Sequence, residues 1–328
     1  MPTELNTPES CLYVAAPEFI DELTHELGDI FWQKGRLVSA KAQARPPAWA
    51  LDVWPAHETF HINSIGHAAQ ELKSRGKFWA LLPIEKHRRA TLIQEKLRCP
   101  KINPLAFTEQ PDLPDIGGWS LLDERTLVAS PTHWKKFPHG EITFIENKSA
   151  PPNRAYLKLW EALTLINRYP QKGERCLDLG ASPGGWTWVL SELGAQVTAI
   201  DKAPLEPSVT RRPNVTFEQQ SAFSIDLEKI GEIDWLCCDV ICYPERLYTH
   251  VNRWLETGLV KNFICTIKLQ GKKDFAVVKK FQEIPGSFTT HLFHNKHELT
   301  WLWPFNPSSH LYENPVSPLV DSATAKQL

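Results

Sequence analysis

The chain has 328 residues, of which 42% are hydrophobic, and a formal net charge of −2 at pH 7. This length favours two domains with hydrophobic cores, and the composition excludes wholesale disorder. The near-zero net charge excludes a protein that coats nucleic acid through its overall charge. Any contact with RNA must therefore come from local basic patches.

The cysteine pattern and the hydropathy exclude several further classes. Seven cysteines lack paired spacing, and two are adjacent at positions 237 and 238, which indicates reduced thiols and argues against zinc. The polar N-terminal residues are unlike a signal peptide, and no apolar run is long enough to span a bilayer. We therefore expect a cytoplasmic protein without a metal or a membrane partner. The sequence leaves the oligomeric state open.

The N-terminal region, residues 1–136, alternates short predicted strands and helices. Strands are predicted at 11–16, 49–54 and 78–82 and in a hairpin over 119–129, and helices from Pro17, over 65–75 and over 90–97. This order favours a small α+β domain. Its compact basic run, Lys86-His-Arg-Arg89, either neutralises RNA phosphates or forms a solvated turn.

Residues 176–187, Cys-Leu-Asp-Leu-Gly-Ala-Ser-Pro-Gly-Gly-Trp-Thr, predict a buried strand, a Gly-rich turn and the start of a helix. Such a turn builds a nucleotide or cofactor site at the carboxyl end of the strand. The glycine spacing departs from the dinucleotide fingerprint, and Pro183 lacks the N–H that a pyrophosphate would need. The pattern argues against NAD and for a cofactor without pyrophosphate, such as S-adenosylmethionine. An ordinary strand–turn–helix corner is the alternative.

Four further charged residues stand at predicted strand ends or on a buried helix. The predicted strand over 196–200 ends at Asp201, whose carboxylate can accept hydrogen bonds from two ribose hydroxyls. Two more buried strands end in Asp239 and Lys268, and a helix over 154–166 carries Lys158 among apolar positions. Charged groups are uncommon at such positions as scaffolding, although a helix cap or a solvated charge is the alternative.

Two segments, Asn153-Arg-Ala-Tyr-Leu-Lys-Leu-Trp-Glu161 and Asp178-Leu-Gly-Ala-Ser-Pro-Gly-Gly-Trp-Thr187, resemble the FtsJ-type ribose 2'-O-methyltransferases. The resemblance implies that residues 137–305 form an α/β, Rossmann-like class I methyltransferase domain with S-adenosylmethionine as cofactor. It implies RNA as partner, with a cytidine of 23S ribosomal RNA as the expected acceptor. The alternatives are ribose in tRNA or an mRNA cap, or a non-catalytic RNA-binding protein on the same fold. The N-terminal α+β domain resembles the THUMP-like region of such enzymes.

The resemblance also implies the site residues. Lys158, Asp239, Lys268 and Glu298 match the catalytic Lys-Asp-Lys-Glu tetrad of the family. Whether Lys268 acts as general base or as an electrostatic orienter of the hydroxyl stays open. The expected cofactor contacts come from the Gly-rich turn and the strand ends: Gly180, Ser182, Pro183, Gly184, Gly185, Trp186, Asp201, Ser221 and Asp239.

Ser221 departs from the family pattern, which usually has a carboxylate facing the adenine amino group. A serine hydroxyl accepts that hydrogen bond more weakly, so either cofactor affinity is reduced or main-chain carbonyls carry the contact. Phe223 is expected to pack on the adenine. The lysine pairs 272–273 and 279–280 follow Lys268 and are expected to contact RNA phosphates, with a solvated helix face as the alternative. Residues 306–328 are predicted to form a flexible tail.

Overall fold

The computed structural model describes residues 9–109, 112–271 and 274–305. They divide into two compact units, the first comprising 9–104 and 112–143 and the second 105–109 and 144–305. The predicted C-terminal tail lies outside the described residues. Within the described ranges, no helix combines the length and the apolar character needed to cross a membrane.

The first unit contains two small sheets with three helices, so its predicted α+β character is confirmed. Its strands are β1 (Ser10–Ala15), β2 (Ile30–Lys34), β3 (Leu37–Lys41), β4 (Ala50–Trp54), β5 (Glu58–His61), β6 (Trp79–Leu81), β7 (Gly117–Leu121) and β8 (Thr126–Ser130). Its helices are α1 (Ile20–Leu27), α2 (Ile65–Arg75) and α3 (His87–Gln94). One sheet has the antiparallel order β2-β3-β1-β4, and the other has the order β5-β8-β7-β6, in which β6 and β7 are parallel.

Local sequence signals explain several of these elements. Helix α2 begins after Ser64, whose hydroxyl accepts a hydrogen bond from the His67 amide at 3.0 Å, and it ends before Gly76. The turn of the β7–β8 hairpin is closed by Asp123, which accepts hydrogen bonds from the amides of residues 125 and 126. Helix α3 begins at His87, three residues earlier than predicted. The basic run 86–89 therefore lies at the start of a helix, where residues 86–88 are exposed.

Tryptophan side chains form much of the core of the first unit. Trp54, Trp79 and Trp119 are each completely buried. Trp79 and Trp119 pack with the buried faces of α2 and α3, and Trp54 packs with residues of β1 and β3. A buried aromatic ring removes a large apolar area from water, so these residues stabilise a small domain efficiently.

The second unit is a Rossmann-like α/β fold, as predicted. Its strands are β9 (Arg175–Leu179), β10 (Gln196–Asp201), β11 (Val215–Gln219), β12 (Ile233–Cys238), β13 (Val260–Lys268), β14 (Phe288–Thr290) and β15 (Glu298–Trp303). Its helices are α4 (Tyr156–Ile166), α5 (Gly185–Glu192), α6 (Pro207–Thr210), α7 (Leu227–Ile230), α8 (Pro244–Thr257) and α9 (Phe275–Glu283).

The strands of the second unit form one sheet with the order β11-β10-β9-β12-β13-β15-β14. The strands from β11 to β13 are parallel, whereas β15 runs antiparallel to both of its neighbours. The chain leaves β9 in one direction through β10 and β11, and returns on the other side through β12 and β13. Ligands of open α/β sheets bind at such a reversal, outside the carboxyl ends of the strands.

Candidate active site

A pocket of about 320 Å³ lies at the reversal point of the sheet, within the second unit. Six of the predicted site residues line it: Gly180, Ser182, Asp201, Ser221, Asp239 and Lys268. They follow or end four neighbouring parallel strands, or lie just beyond β11. Because the carboxyl ends of parallel strands meet at one edge, residues far apart in sequence share this pocket.

The Gly-rich turn needs glycine for two distinct reasons. Gly180 has a φ of +76°, and a Cβ there would lie 2.8 Å from the Cα of Val240. Gly185 begins α5, where a Cβ would overlap the side-chain oxygen of Asn153. A larger residue at 180 would force the turn away from the Val240 backbone, and one at 185 would displace the Asn153 side chain, because real Cβ atoms do not approach so closely.

The other predicted residues of the turn determine its backbone conformation and its packing. The Ser182–Pro183 peptide bond is cis, and Gly184 precedes α5 with a φ of +120°. Trp186 is 4% exposed, and its indole N–H donates to the Ala155 carbonyl at 2.9 Å. Pro183, Gly184, Gly185 and Trp186 thus belong to the turn and to the first residues of α5, and they are not among the pocket-lining residues described here.

Asp201 is held in place by main-chain donors. One carboxylate oxygen accepts from the Ser182 amide at 3.0 Å, and the other accepts from the Ala203 amide at 2.9 Å. Each carboxylate oxygen has two lone pairs, so both can still accept a further hydrogen bond. Asp201 is therefore a fixed acceptor that faces the pocket.

The pocket lining also includes an aromatic ring and a cation, those of Phe223 and Arg246. The guanidinium of Arg246 lies 3.9 Å from the centroid of the Phe223 ring, and both residues line the pocket. The Ser221 hydroxyl accepts from the Phe223 amide at 3.3 Å, which leaves its second lone pair for another donor. We did not predict Arg246, because we did not predict α8. Its signal was Pro244 followed by the buried positions Leu247, Val251 and Trp254 at helical spacing.

The structure brings Lys158, Asp239, Lys268 and Glu298 together. The Lys158 ammonium lies 2.8 Å from Asp239 Oδ2 and 3.0 Å from Glu298 Oε1. Lys268 lies 3.0 Å from Asp239 Oδ1 and donates to the Asp239 carbonyl at 2.8 Å. Lys268 and Glu298 are directly opposite each other across the β13–β15 ladder. The four charges therefore form one connected network at the edge of the sheet.

The two lysines of this network have different surroundings. The side chain of Lys158 is 9% exposed, and burial opposes its charge. The carboxylates of Asp239 and Glu298 outweigh burial, so the pKa of the Lys158 ammonium is raised above its ordinary value. Lys158 is thus a permanent cation that holds two carboxylates in place. Lys268 is 21% exposed and lines the pocket, where a ligand can reach it.

Glu161 is a buried charge that we did not predict. Its carboxylate is fully buried on α4, one turn after Lys158, and accepts from the amides of Phe293 and His294 at 2.8 and 3.0 Å. The Nδ1 atom of His294 lies 2.7 Å from the same carboxylate. Helix α4 thus contacts the network through Lys158 and anchors the loop before Glu298 through Glu161. The sequence signal was a glutamate flanked by the apolar residues Trp160 and Ala162.

Asp178 is a second buried carboxylate near the pocket. It lies on the central strand β9 and is completely buried, with the Thr187 hydroxyl donating to Oδ2 at 2.6 Å. Burial raises the pKa of Asp178 to about 7, despite the opposing effect of the Thr187 hydrogen bond. Its second oxygen is buried without a hydrogen-bond partner among the described residues. Asp178 therefore keeps its proton to a higher pH than an exposed aspartate does.

The pocket fits the cofactor expected from the Gly-rich turn. Its volume lies within the range of about 300–1,000 Å³ that small-molecule sites occupy. Asp201 retains acceptor capacity and Phe223 places an aromatic ring among the lining residues, and both features suit a nucleoside. Among the described residues, no group of three or more His, Cys, Asp or Glu side chains is arranged to hold a metal ion.

Comparison with known proteins assigns the second unit. The model of the FtsJ-like methyltransferase family matches residues 151–303. The chain is 36% identical over 159 residues to the ribosomal RNA large subunit methyltransferase M of Halorhodospira halophila, covering 45% of this chain and 46% of the relative. It is 32% identical over 210 residues to the protein of the same name from Alkalilimnicola ehrlichii, covering 59% and 57%. The chain thus matches about half the length of these relatives.

Among solved structures, TrmN from Thermus thermophilus aligns with 89% of this chain and 98% of its own, at 12% identity and a TM-score of 0.36. This similarity is too low to add to the family match. The residues that line the pocket all lie within the segment that matches the family model. Residues 151–303 therefore match the FtsJ-like methyltransferase family, and the cofactor that this match indicates is S-adenosylmethionine.

Proposed function

We propose that this protein transfers a methyl group from S-adenosylmethionine to a ribose 2'-hydroxyl of RNA, with a cytidine of 23S ribosomal RNA as the acceptor. The observation that carries the proposal is the position of Lys268. It lines the cofactor pocket and is anchored to both the carboxylate and the carbonyl of Asp239. The relatives that are named as ribosomal RNA methyltransferases support the choice of substrate.

The chemistry explains why such a network is useful. The cofactor supplies an electrophilic methyl group, but a ribose hydroxyl is a weak nucleophile. Holding reacting groups in a near-attack geometry can supply about 7–11 kcal/mol of the barrier. The Lys268 ammonium donates one hydrogen bond to the Asp239 carbonyl and pairs with the Asp239 carboxylate at 3.0 Å, and it retains N–H groups that can donate to the hydroxyl oxygen. We infer that Lys268 orients the acceptor and stabilises negative charge that develops on its oxygen.

The remaining members of the network have supporting roles in this proposal. Lys158 holds Asp239 and Glu298 through its permanent charge, and Asp239 in turn holds Lys268. A lysine side chain carries about 2 kcal/mol of rotamer entropy, so anchoring it in advance removes part of the ordering cost from the reaction. Lys158, Asp239, Lys268 and Glu298 are therefore proposed to act as one catalytic unit.

The proposed RNA partner also needs cationic surface. In the first unit, the run Lys86-His-Arg-Arg89 at the start of α3, of which residues 86–88 are exposed, is the proposed contact to phosphates. In the second unit, Lys279 and Lys280 are exposed on α9, opposite its buried positions Val277, Val278 and Phe281. Lys272 and Lys273 lie outside the described residues. Phosphate contacts of this kind orient RNA without selecting a sequence.

The test is a labelling experiment. Purified protein is incubated with tritium-labelled S-adenosylmethionine and total RNA from a strain that lacks the gene, and the label is then mapped. We expect label on the 2'-oxygen of one cytidine of 23S ribosomal RNA. Label in tRNA or mRNA would support the proposed methyl transfer and would contradict 23S ribosomal RNA as the substrate. No label, with cofactor binding intact, would overturn the enzymatic proposal in favour of RNA binding alone.

A pair of lysine variants of strand β13 tests the role of Lys268. Lys268→Ala should lose methylation by at least about 100-fold while it binds S-adenosylhomocysteine normally, because an oriented charge at a reacting oxygen contributes about 10²–10³ in rate. Lys261→Ala is the matched control, since Lys261 lies on the same strand with its side chain 63% exposed. It should methylate RNA at the wild-type rate. Equal rates for both variants would remove Lys268 from the mechanism.

A further inference from the structure

An exposed apolar step borders the pocket, on the loop between β12 and α8. Five large hydrophobic residues of the described chain are exposed, and two of them are Ile241 and Tyr243, at 84% and 57%. Ile241 also lines the pocket, together with Asp239 and Lys268. We call Ile241 and Tyr243 the 241–243 ledge. An isolated exposed apolar residue needs no explanation, but two on one short loop, of which Ile241 lines the pocket with Lys268, indicate a binding surface.

The ledge stands on a rigid support. Tyr243 is the residue before α8, and Pro244 occupies the first turn of that helix, where its fixed φ is favourable. The helix is anchored by its buried residues, which include Leu247 and Trp254. The exposure of Ile241 and Tyr243 is therefore built into the fold, since the residues on either side of the loop are held by β12 and α8.

The charged residues near the ledge indicate which kind of ligand it binds. Arg246, on the first turns of α8, covers the Phe223 ring with its guanidinium at 3.9 Å, and Lys202 and Lys268 also line the pocket. These three cations outnumber the two carboxylates that line the pocket, Asp201 and Asp239, so a matching ligand has an apolar face and negative charge beside it. A nucleobase with its phosphates has both, and stacking on aromatic or apolar side chains is the usual way in which proteins bind unpaired bases.

The size of the ledge favours a single base over a larger partner. Two side chains cannot supply the area of roughly 1,000 Å² or more that a stable protein interface needs. A base whose own ribose enters the pocket covers the ledge and brings its 2'-hydroxyl to Lys268 in the same step. We propose that the 241–243 ledge holds the base of the nucleotide that is methylated. This inference rests on the proposed function and adds the residues that position the acceptor.

Substitutions on the ledge should lower the efficiency of RNA methylation. Tyr243→Ala and Ile241→Ser should each lower kcat/KM for RNA by roughly five- to a hundredfold, the loss expected for one stacked base. The Kd of Tyr243→Ala for S-adenosylhomocysteine should stay within twofold of wild type, because Tyr243 is not among the described pocket-lining residues. Tyr243→Phe keeps the ring and should retain activity. The matched control is Ile145→Ser, because Ile145 is 62% exposed in the same unit but is not a pocket-lining residue.

An RNA that is abasic at the mapped acceptor position provides a second perturbation. It should lower the wild-type rate to about that of Tyr243→Ala, and the variant should lose little more on the abasic RNA, because the two changes remove the same contact. Full additivity of the two losses would overturn the ledge as a base-binding surface. So would unchanged kcat/KM in both ledge variants.

The remaining outcomes separate the ledge from the proposed function. If the wild-type protein labels no RNA at all, the proposed function fails, and the acceptor assigned to the ledge fails with it. If the wild-type protein and both ledge variants label RNA equally, the ledge alone fails. Binding of phosphatidylcholine–phosphatidylglycerol vesicles that is lost in Ile241→Ser, with RNA methylation unchanged, would assign the ledge to a membrane surface and overturn the proposal.

Discussion

Removal of the Glu161 carboxylate should destabilise the second unit strongly. Glu161 is completely buried, and its carboxylate accepts from two main-chain amides and contacts His294 Nδ1 at 2.7 Å. In Glu161→Ala, the amides of Phe293 and His294 lose their acceptor, at about 1–3 kcal/mol for each unsatisfied donor. We expect a loss of about 3–5 kcal/mol, which is the range measured when one partner of a buried charged cluster is removed.

The calorimetric assay follows from this magnitude. A domain of this size loses about 2–4 °C in Tm for each kcal/mol, so the transition of the second unit should fall by roughly 6–20 °C. Hydrogen exchange should accelerate at the amides of residues 293 and 294, because they lose their protecting acceptor. Exchange at the central strand β9 should be affected less at low temperature, where local opening dominates.

Glu146 provides the matched control for Glu161. It lies in the same unit and pairs with Arg154 at 2.7 Å, but the Arg154 side chain is 75% exposed. Exposed ion pairs contribute about 0–1 kcal/mol, so Glu146→Ala should shift Tm by only a few degrees at most. A loss below about 1 kcal/mol for Glu161→Ala, or exchange at residues 293 and 294 that matches wild type, would refute the anchoring role of Glu161.

Two further predictions concern the pH dependence of stability, measured by calorimetry from pH 4 to 8. Burial lowers the pKa of His139 from 6.5 to about 4, so the unfolded chain takes up a proton that the native first unit refuses. Stability should therefore fall by roughly 3 kcal/mol as pH drops from 6.5 towards 4, and His139→Asn, which tolerates the φ of 59°, should flatten this slope. Asp178 should change stability in the opposite direction. Its pKa is raised to about 7, so the native state holds a proton that the unfolded chain releases above pH 4. Stability should then fall as pH rises from 4 to 7, and Asp178→Asn should be more stable than wild type at pH 8 but not at pH 4. Parallel pH profiles of wild type and either variant would contradict the corresponding assignment.

The sequence by itself determined the local elements of the candidate site. The Gly-rich turn, the strands before Asp201 and Asp239 and the strand that ends in Lys268 were all predicted from short-range patterns. Their convergence also follows from sequence, because consecutive parallel strands place their carboxyl ends at one edge of the sheet. Strands β2, β3, β5, β11 and β14 and helices α6, α7 and α8 were missed. In β2 and β5 the residues are half-buried or exposed, so the hydrophobic contrast that marks a core strand is weak.

Only the tertiary structure decided which charges meet. Lys158 is separated from Asp239 and Glu298 by 81 and 140 positions, and their contacts depend on how α4 packs against the sheet and on the antiparallel pairing of β15 with β13. The catalytic roles that we assign to this network remain predictions. The partners of Glu161 and the contact of Arg246 with Phe223 were likewise decided by the tertiary structure, because a charged residue on a helix is usually solvated. Its partners are supplied by loops and helices distant in the chain, and only packing of the whole sheet brings them within hydrogen-bonding distance.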